Sequence, residues 1–201
     1  EGLSVSKMGT IDLEDLLRAS LRQRPEYLLV GEVRGRESQT LFQAMNAGHA
    51  TCSTFHAGTP QEVINRFTNP PINVPSAMFS ALDIISMQSN IYEAGIEKRK
   101  ASHISEVIGV TNSIELRDTF LWDPLTDSFE FKGSKVLQDI KNKLGWTEER
   151  VSEELSRRAI FLDLMLEIGM RDYNHFIESI NAYSKDPESA IELLTSGEQY
   201  F

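Results

Sequence analysis

Two short strand-like runs, each leading into a polar residue near a glycine, constrain this chain most. Tyr27-Leu28-Leu29-Val30 runs into Gly31-Glu32, and Ala50 to Phe55 runs into His56-Ala57-Gly58. The first run is short and continuously apolar, as in a strand buried on both faces. Between the two, Glu37 to Ala47 has helical spacing, with Leu41, Ala44 and Met45 inward and Gly48 as its C-terminal stop. Upstream, Asp12 caps a predicted helix from Leu13 to about Gln23, with Leu13, Leu16, Leu17 and Leu21 on one face and Pro25 beyond its end. Downstream, Pro60 opens a helix to Phe67, another covers about Pro75 to Ala81, and Ile84 to Met87 reads as a third strand. Helices alternating with strands imply a parallel sheet in an α/β fold, with ligands at the carboxyl ends of the strands. Glu32 and His56 both occupy such ends.

The pattern then changes. His103 to Thr111 reads as a strand, and Leu116 to Trp122 with Ser128 to Phe131 reads as a hairpin around Asp123-Pro124-Leu125-Thr126-Asp127. Four helices follow, at about Lys135–Leu144, Thr147–Ile168, Tyr173–Tyr183 and Pro187–Leu194. The expected division is 1–90, 91–133 and 134–201. Charge follows it: of the net −10, residues 1–90 carry −2 (seven Lys/Arg, nine Asp/Glu) and residues 91–201 carry −8 (thirteen and twenty-one). Such acidity argues against a dedicated nucleic-acid binder. No run approaches the length of a membrane-spanning helix. The single cysteine, Cys52, excludes a disulfide framework and a multi-cysteine zinc site, and in a strand it reads as a small core residue. Trp122 and Trp146 read as packing anchors, and the Phe161, Leu164, Met165, Ile168 stripe as core or a partner face.

At the end of a buried strand, Glu32 can polarise a water or complement a metal ion; equally, it can pair with Arg34. His56, before a glycine turn and beside Thr54, can reach a phosphate, whereas His49 suits a capping role. The two histidines are about 20 Å apart along an extended strand, too far to share a metal. Arg18, Arg22, Arg24, Arg34 and Arg36 crowd into nineteen positions. Arginine suits forked contacts with phosphate or carboxylate, although Arg18 and Arg22 also fit a solvated helix face.

Taken together, Leu16 to Glu26, Val30-Gly31-Glu32-Val33-Arg34-Gly35 and Gly48-His49 with Ser53 to Ala57 closely resemble secretion ATPases of the type II/type IV pilus superfamily. That family carries an atypical Walker B segment ending in Gly-Glu and a His box. Ser102 to Val110 with Phe120-Leu121-Trp122-Asp123-Pro124 resembles its archaeal archaellum and pilus assembly branch; bacterial type II relatives usually add a four-cysteine zinc element that one cysteine cannot build.

The resemblance implies a RecA-like, P-loop NTPase core with a parallel sheet, followed by a β-hairpin and a helical C-terminal subdomain. It implies a homohexamer that hydrolyses ATP with Mg²⁺, peripheral at the cytoplasmic face of the membrane and acting on an integral membrane platform protein. Glu32 would orient the attacking water near Mg²⁺ and His56 would sense the γ-phosphate. Arg22, or its rivals Arg18 and Arg24, would reach a neighbouring subunit's nucleotide, and Arg34 and Thr54 are further nucleotide-binding candidates. No lysine follows a glycine anywhere in the chain, so a phosphate loop of the G-x-x-x-x-G-K-[ST] kind is missing. The expectation is that this loop lies upstream of Glu1, and that residues 1–201 are a C-terminal portion, inactive in isolation. The rival readings are a non-catalytic interaction module docking a membrane platform protein and a DNA-directed RecA-like recombinase relative; the net charge counts against the second.

Overall fold

The computed structural model describes residues 11–93 and 95–196; Lys7, the one lysine of the first ninety residues, lies outside them. The chain divides into two compact units, residues 1–136 and 137–201.

The first unit begins with α1 (Leu13–Ser20), which the sequence specifies closely. Asp12 accepts a hydrogen bond from the Asp15 amide, and Asp15 returns one to the Asp12 amide, so the start is capped reciprocally. A 3-10 turn over Leu21–Gln23 follows, and Arg24 leaves it with left-handed backbone (φ 53°) before Pro25. β1 (Tyr27–Val30) and β2 (Ala50–Ser53) form a parallel pair in the register Tyr27↔Ala50 to Val30↔Ser53. Their crossover is α2 (Glu37–Asn46), ended by Gly48 at φ 90°. α3 (Pro60–Thr68) follows β2, with Thr59 accepting from the Glu62 amide as its N-cap.

The core of this unit lies where the helices cover the strand pair. Leu28 and Val30 join Leu17, Val33 and Leu41 there. Phe42 meets Phe67 and Phe79 at ring-centroid distances of 5.4 and 4.7 Å, in the edge and tilted arrangements that aromatic rings favour. The expectation that β1 is buried on both faces is corrected. Leu28 and Val30 are buried, but Tyr27 and Leu29 on the other face are 71% and 76% exposed. A four-residue apolar run does not reveal that only one of its faces meets helices. Cys52 is likewise exposed rather than core, because it sits on β2 beside Leu29 of β1.

The third strand also differs. β3 (Ile84–Glu93) runs past Met87 and pairs antiparallel with β4 (Ile96–Val110), from Ile84↔Glu106 to Glu93↔Ile96. Gln88-Ser89-Asn90 looks like loop in composition but lies in the ladder. The connection after Glu93 is too short for the crossover a parallel pair requires. β5 (Ile114–Asp123) and β6 (Ser128–Phe131) complete a sheet of order β3-β4-β5-β6, with the predicted hairpin between them. Trp122 donates from Nε1 to Asp127 across that turn.

The four later helices match their patterns: α4 (Lys135–Leu144), α5 (Glu148–Glu167), α6 (Tyr173–Lys185) and α7 (Pro187–Ser196). In the second unit, Phe161 stacks on Tyr183 at 4.6 Å over a small core with Met165, Ala190 and Leu194. Of the predicted stripe, Phe161 and Met165 are buried, whereas Ile168 at the end of α5 is exposed. No helix among the described residues is long and apolar enough to cross a membrane.

Candidate functional site

Parallel pairing of β1 with β2 brings their carboxyl ends side by side, and the two segments that leave them are stitched together. The Thr54 hydroxyl donates to the Gly31 carbonyl at 2.6 Å, and the Val33 amide donates to the Thr54 carbonyl at 3.2 Å. Across this stitch, His56 Nε2 lies 3.3 Å from Glu32 Oε1. Residues 24 apart in sequence thus meet because each follows a strand of the same ladder.

The other oxygen of Glu32 is held by Arg34, whose Nη2 donates to Oε2 at 2.5 Å. That hydrogen bond is the main cause holding the Glu32 carboxyl below its ordinary value; partial desolvation opposes it, and the charges of Arg34 and His56 add to it. Glu32 is therefore a carboxylate at neutral pH and a weak proton acceptor. A side chain 27% exposed with this character orients a water better than it deprotonates one.

Arg34 is in turn set by Glu37 at the start of α2. Glu37 Oε1 accepts the Arg34 amide at 2.5 Å and the Gly35 amide at 2.7 Å, closing the turn after Glu32. The His56 loop is anchored to α3. The Gly58 amide donates to Glu62 Oε2 at 2.8 Å, and the Arg66 guanidinium donates to the His56 carbonyl and lies 4.6 Å over the Phe55 ring. Glu37, Glu62 and Arg66 were not singled out from the sequence. Their signal was available only as acidic and basic residues in the first and last turns of helices that directly follow the two polar loops.

The other candidates scatter. Arg18 pairs with Glu14 one turn earlier, at 2.5 Å. Arg22 and Arg24 are exposed and meet no carboxylate among the described residues. Arg36 and Arg18 line one polar cleft with Glu14, Gln39 and Asn73, and Arg36 also borders the cleft that holds Glu32. His49, at the start of the path into β2, places Nδ1 3.3 Å from the Ala44 carbonyl, at the C-terminus of α2 as a capping group would. Among the described residues no group of three His, Cys, Asp or Glu side chains could hold a metal ion. Mg²⁺ takes most of its six oxygens from waters and substrate phosphates and needs only one or two carboxylates, so Glu32, with both oxygens engaged, fits it through water.

Residues 2–121 match the family description "Type II/IV secretion system protein", and residues 125–199 match "PilB3-like, C-terminal". The chain belongs to the type II/IV secretion system protein family. Its relatives include uncharacterized, pilus assembly and conjugal transfer proteins. An uncharacterized protein of Methanocaldococcus jannaschii is 39% identical over 87% of this chain and 66% of its own length. The type IV pilus assembly ATPase of Pseudomonas aeruginosa is 27% identical over 61% of this chain and 21% of its own. A putative conjugal transfer protein of Mycobacterium tuberculosis is 43% identical over 30% of this chain and 17% of its own. The chain spans 66%, 33% and 27% of the lengths of three Methanocaldococcus jannaschii relatives that it matches.

Proposed function

We propose that this chain supplies the water-orienting and phosphate-sensing side of the site in a RecA-like ATPase that drives filament assembly or protein export. The observation that carries the reading is the 3.3 Å approach of His56 to Glu32 at the carboxyl ends of parallel strands. A second supports the fold. Among the described residues β2 pairs only with β1 and β3 only with β4, and residues of both, Thr51, Cys52 and Ser53 of β2 and Ile84, Ser86 and Gln88 of β3, line a common slot of about 480 Å³. A further strand there would join both into one sheet, as a RecA-like core requires. In this reading residues 1–90 supply the nucleotide side, 91–133 a β extension and 134–201 an acidic helical subdomain.

The chain's own residues would divide the work as follows. Glu32 accepts a hydrogen bond from the attacking water and aligns its lone pair. Its low basicity places the final proton elsewhere, on the phosphate or solvent. Arg34 keeps Glu32 ionised. His56 offers Nε2 to both Glu32 and an incoming γ-phosphate, so the phosphate competes for a contact already made. When bound, ATP would bring the phosphoryl group and Mg²⁺ its charge neutralisation; no G-x-x-x-x-G-K-[ST] cradle occurs in the sequence, and among the described residues no cluster of three metal-ligating side chains could hold the cation. The full-length protein would work as a homohexamer at the cytoplasmic face of the membrane, on an archaellum, pilus or related platform protein whose basic loops suit the acidic 91–201 region. An arginine among Arg18, Arg22 and Arg24 would serve the neighbouring subunit. Arg22 and Arg24, exposed and meeting no carboxylate among the described residues, are freer for this than Arg18.

Glu32→Gln in the full-length protein tests the assignment. Turnover should fall by about 10²- to 10⁴-fold with ATP binding retained. Unchanged turnover would instead favour a non-catalytic docking module.

A further inference from the structure

The ring of His56 is 86% exposed, and its polar contact is with Glu32. A ring so bare is not oriented by packing, so its aim depends on the backbone beneath it. That backbone is gripped from one side by α3. Arg66 donates to the carbonyl of His56, Glu62 accepts the amide of Gly58, and the two side chains, one helical turn apart, approach each other at 3.6 Å. Arg66 also lies over Phe55, the residue before His56, whose ring packs on Phe67 at 4.3 Å in the core. Glu62 and Arg66 thus touch three of the four residues from Phe55 to Gly58.

An exposed Glu–Arg pair at this helical spacing is ordinarily a surface ornament worth a few tenths of a kcal/mol. Here each member has a second bond, and each second bond goes to the loop that carries His56. We propose that Arg66 and Glu62 are positioning residues: a two-point clasp that transmits the rigidity of α3 and the aromatic core to His56 and holds its ring opposite Glu32. The clasp touches neither water nor phosphate and acts only through His56. Arginine is the residue suited to it, since a planar guanidinium can stack on Phe55 while donating in its plane to a carbonyl and a carboxylate. Gly58 belongs to the same device, because a Cβ there would meet Glu62 Oε2 at 3.2 Å.

The kinetic part of the test rests on the proposed ATPase function; the structural part does not. In the full-length protein, Arg66→Ala should lower kcat at least tenfold and change KM for ATP less than about threefold, since a small misplacement of a reacting group costs rate steeply. Arg66→Lys should recover part of the loss. In the His56→Ala background, Arg66→Ala should cost almost nothing more, because residues acting as one unit are non-additive. Independently of turnover, Glu62→Ala should speed hydrogen exchange of the Gly58 amide at least tenfold while leaving the α2 amides unchanged. Multiplying kinetic effects of the two variants, or unchanged Gly58 exchange, overturns the clasp. A wild-type protein without ATP hydrolysis would sink the proposed function, and the Gly58 exchange would still judge the clasp.

Discussion

Two glutamates of the first unit, one just beyond the parallel pair and one within the antiparallel sheet, show how the same side chain is put to opposite uses. Glu32 stands at the end of the parallel pair, partly exposed, with one oxygen on Arg34 and the other near His56. Glu106 stands in the middle of β4, 2% exposed. The ladder with β5 shifts register on either side of it, and its carboxylate reaches the start of α4. There it accepts the Ser134 hydroxyl, the Lys135 amide at 2.6 Å and the Val136 amide at 3.4 Å, with Arg117 3.8 Å away. Glu106 is a helix cap delivered from a distant strand, and its charge is spent on orphan donors of the first turn. Glu32 is bound by two side chains that can move and has access to solvent. An ionised group that a fold fully surrounds serves architecture; one that it half surrounds remains available for chemistry.

The contrast can be broken by exchanging the expected consequences. Glu32→Gln, with its drop of about 10²- to 10⁴-fold in turnover, should leave the denaturant midpoint nearly unchanged, as surface substitutions do. A matching loss of stability would make Glu32 another structural carboxylate. Glu106→Ala should do the reverse and cost about 3 kcal/mol of folding stability in a denaturant melt, because it strands partly buried donors and a nearby guanidinium. Thr59→Ala is a milder version of the same loss: removing the α3 cap should cost about 1 kcal/mol, and more of the effect should reach His56 than Glu32. The smallest effect is in pH. Arg34 lowers the pKa of Glu32, so the ionised form and any stability it brings are present above the ordinary glutamate value and are lost as pH falls through the depressed one. Arg34→Ala should therefore move the acid limb of the pH–rate profile upward, toward the ordinary value; a limb that stays put would remove Glu32 from the rate-determining protonation.

Where periodicity spoke, the sequence was legible. Asp12, Pro60 and Gly48 mark element ends, and the structure uses each of them. That Glu32 and His56 both stand at the carboxyl ends of strands was legible too, since each follows a predicted strand and strands joined by one helix lie parallel; that the two side chains meet was not. What was not legible depended on which surfaces meet. Tyr27 and Leu29 are as apolar as Leu28 and Val30, so composition could not say which face of β1 is covered. Gln88 to Asn90 are polar because their strand belongs to an open antiparallel sheet, where one side meets water. Glu106, Glu62 and Arg66 carried no signal in the sequence, since key partners of each are backbone groups that no side-chain pattern records.

The parallel pair that carries the site has a thermal consequence. Four residues from each strand make the ladder, one face of β1 is bare, and among the described residues neither strand has a second neighbour. Ladders this small open locally at a free energy well below that of global unfolding. Each such opening separates the roots of Glu32 and His56 while the aromatic core stays closed. On warming, the fraction of time the two side chains spend in register should fall before any melting transition appears, so an activity optimum would lie below the unfolding midpoint without any part of the core having come apart.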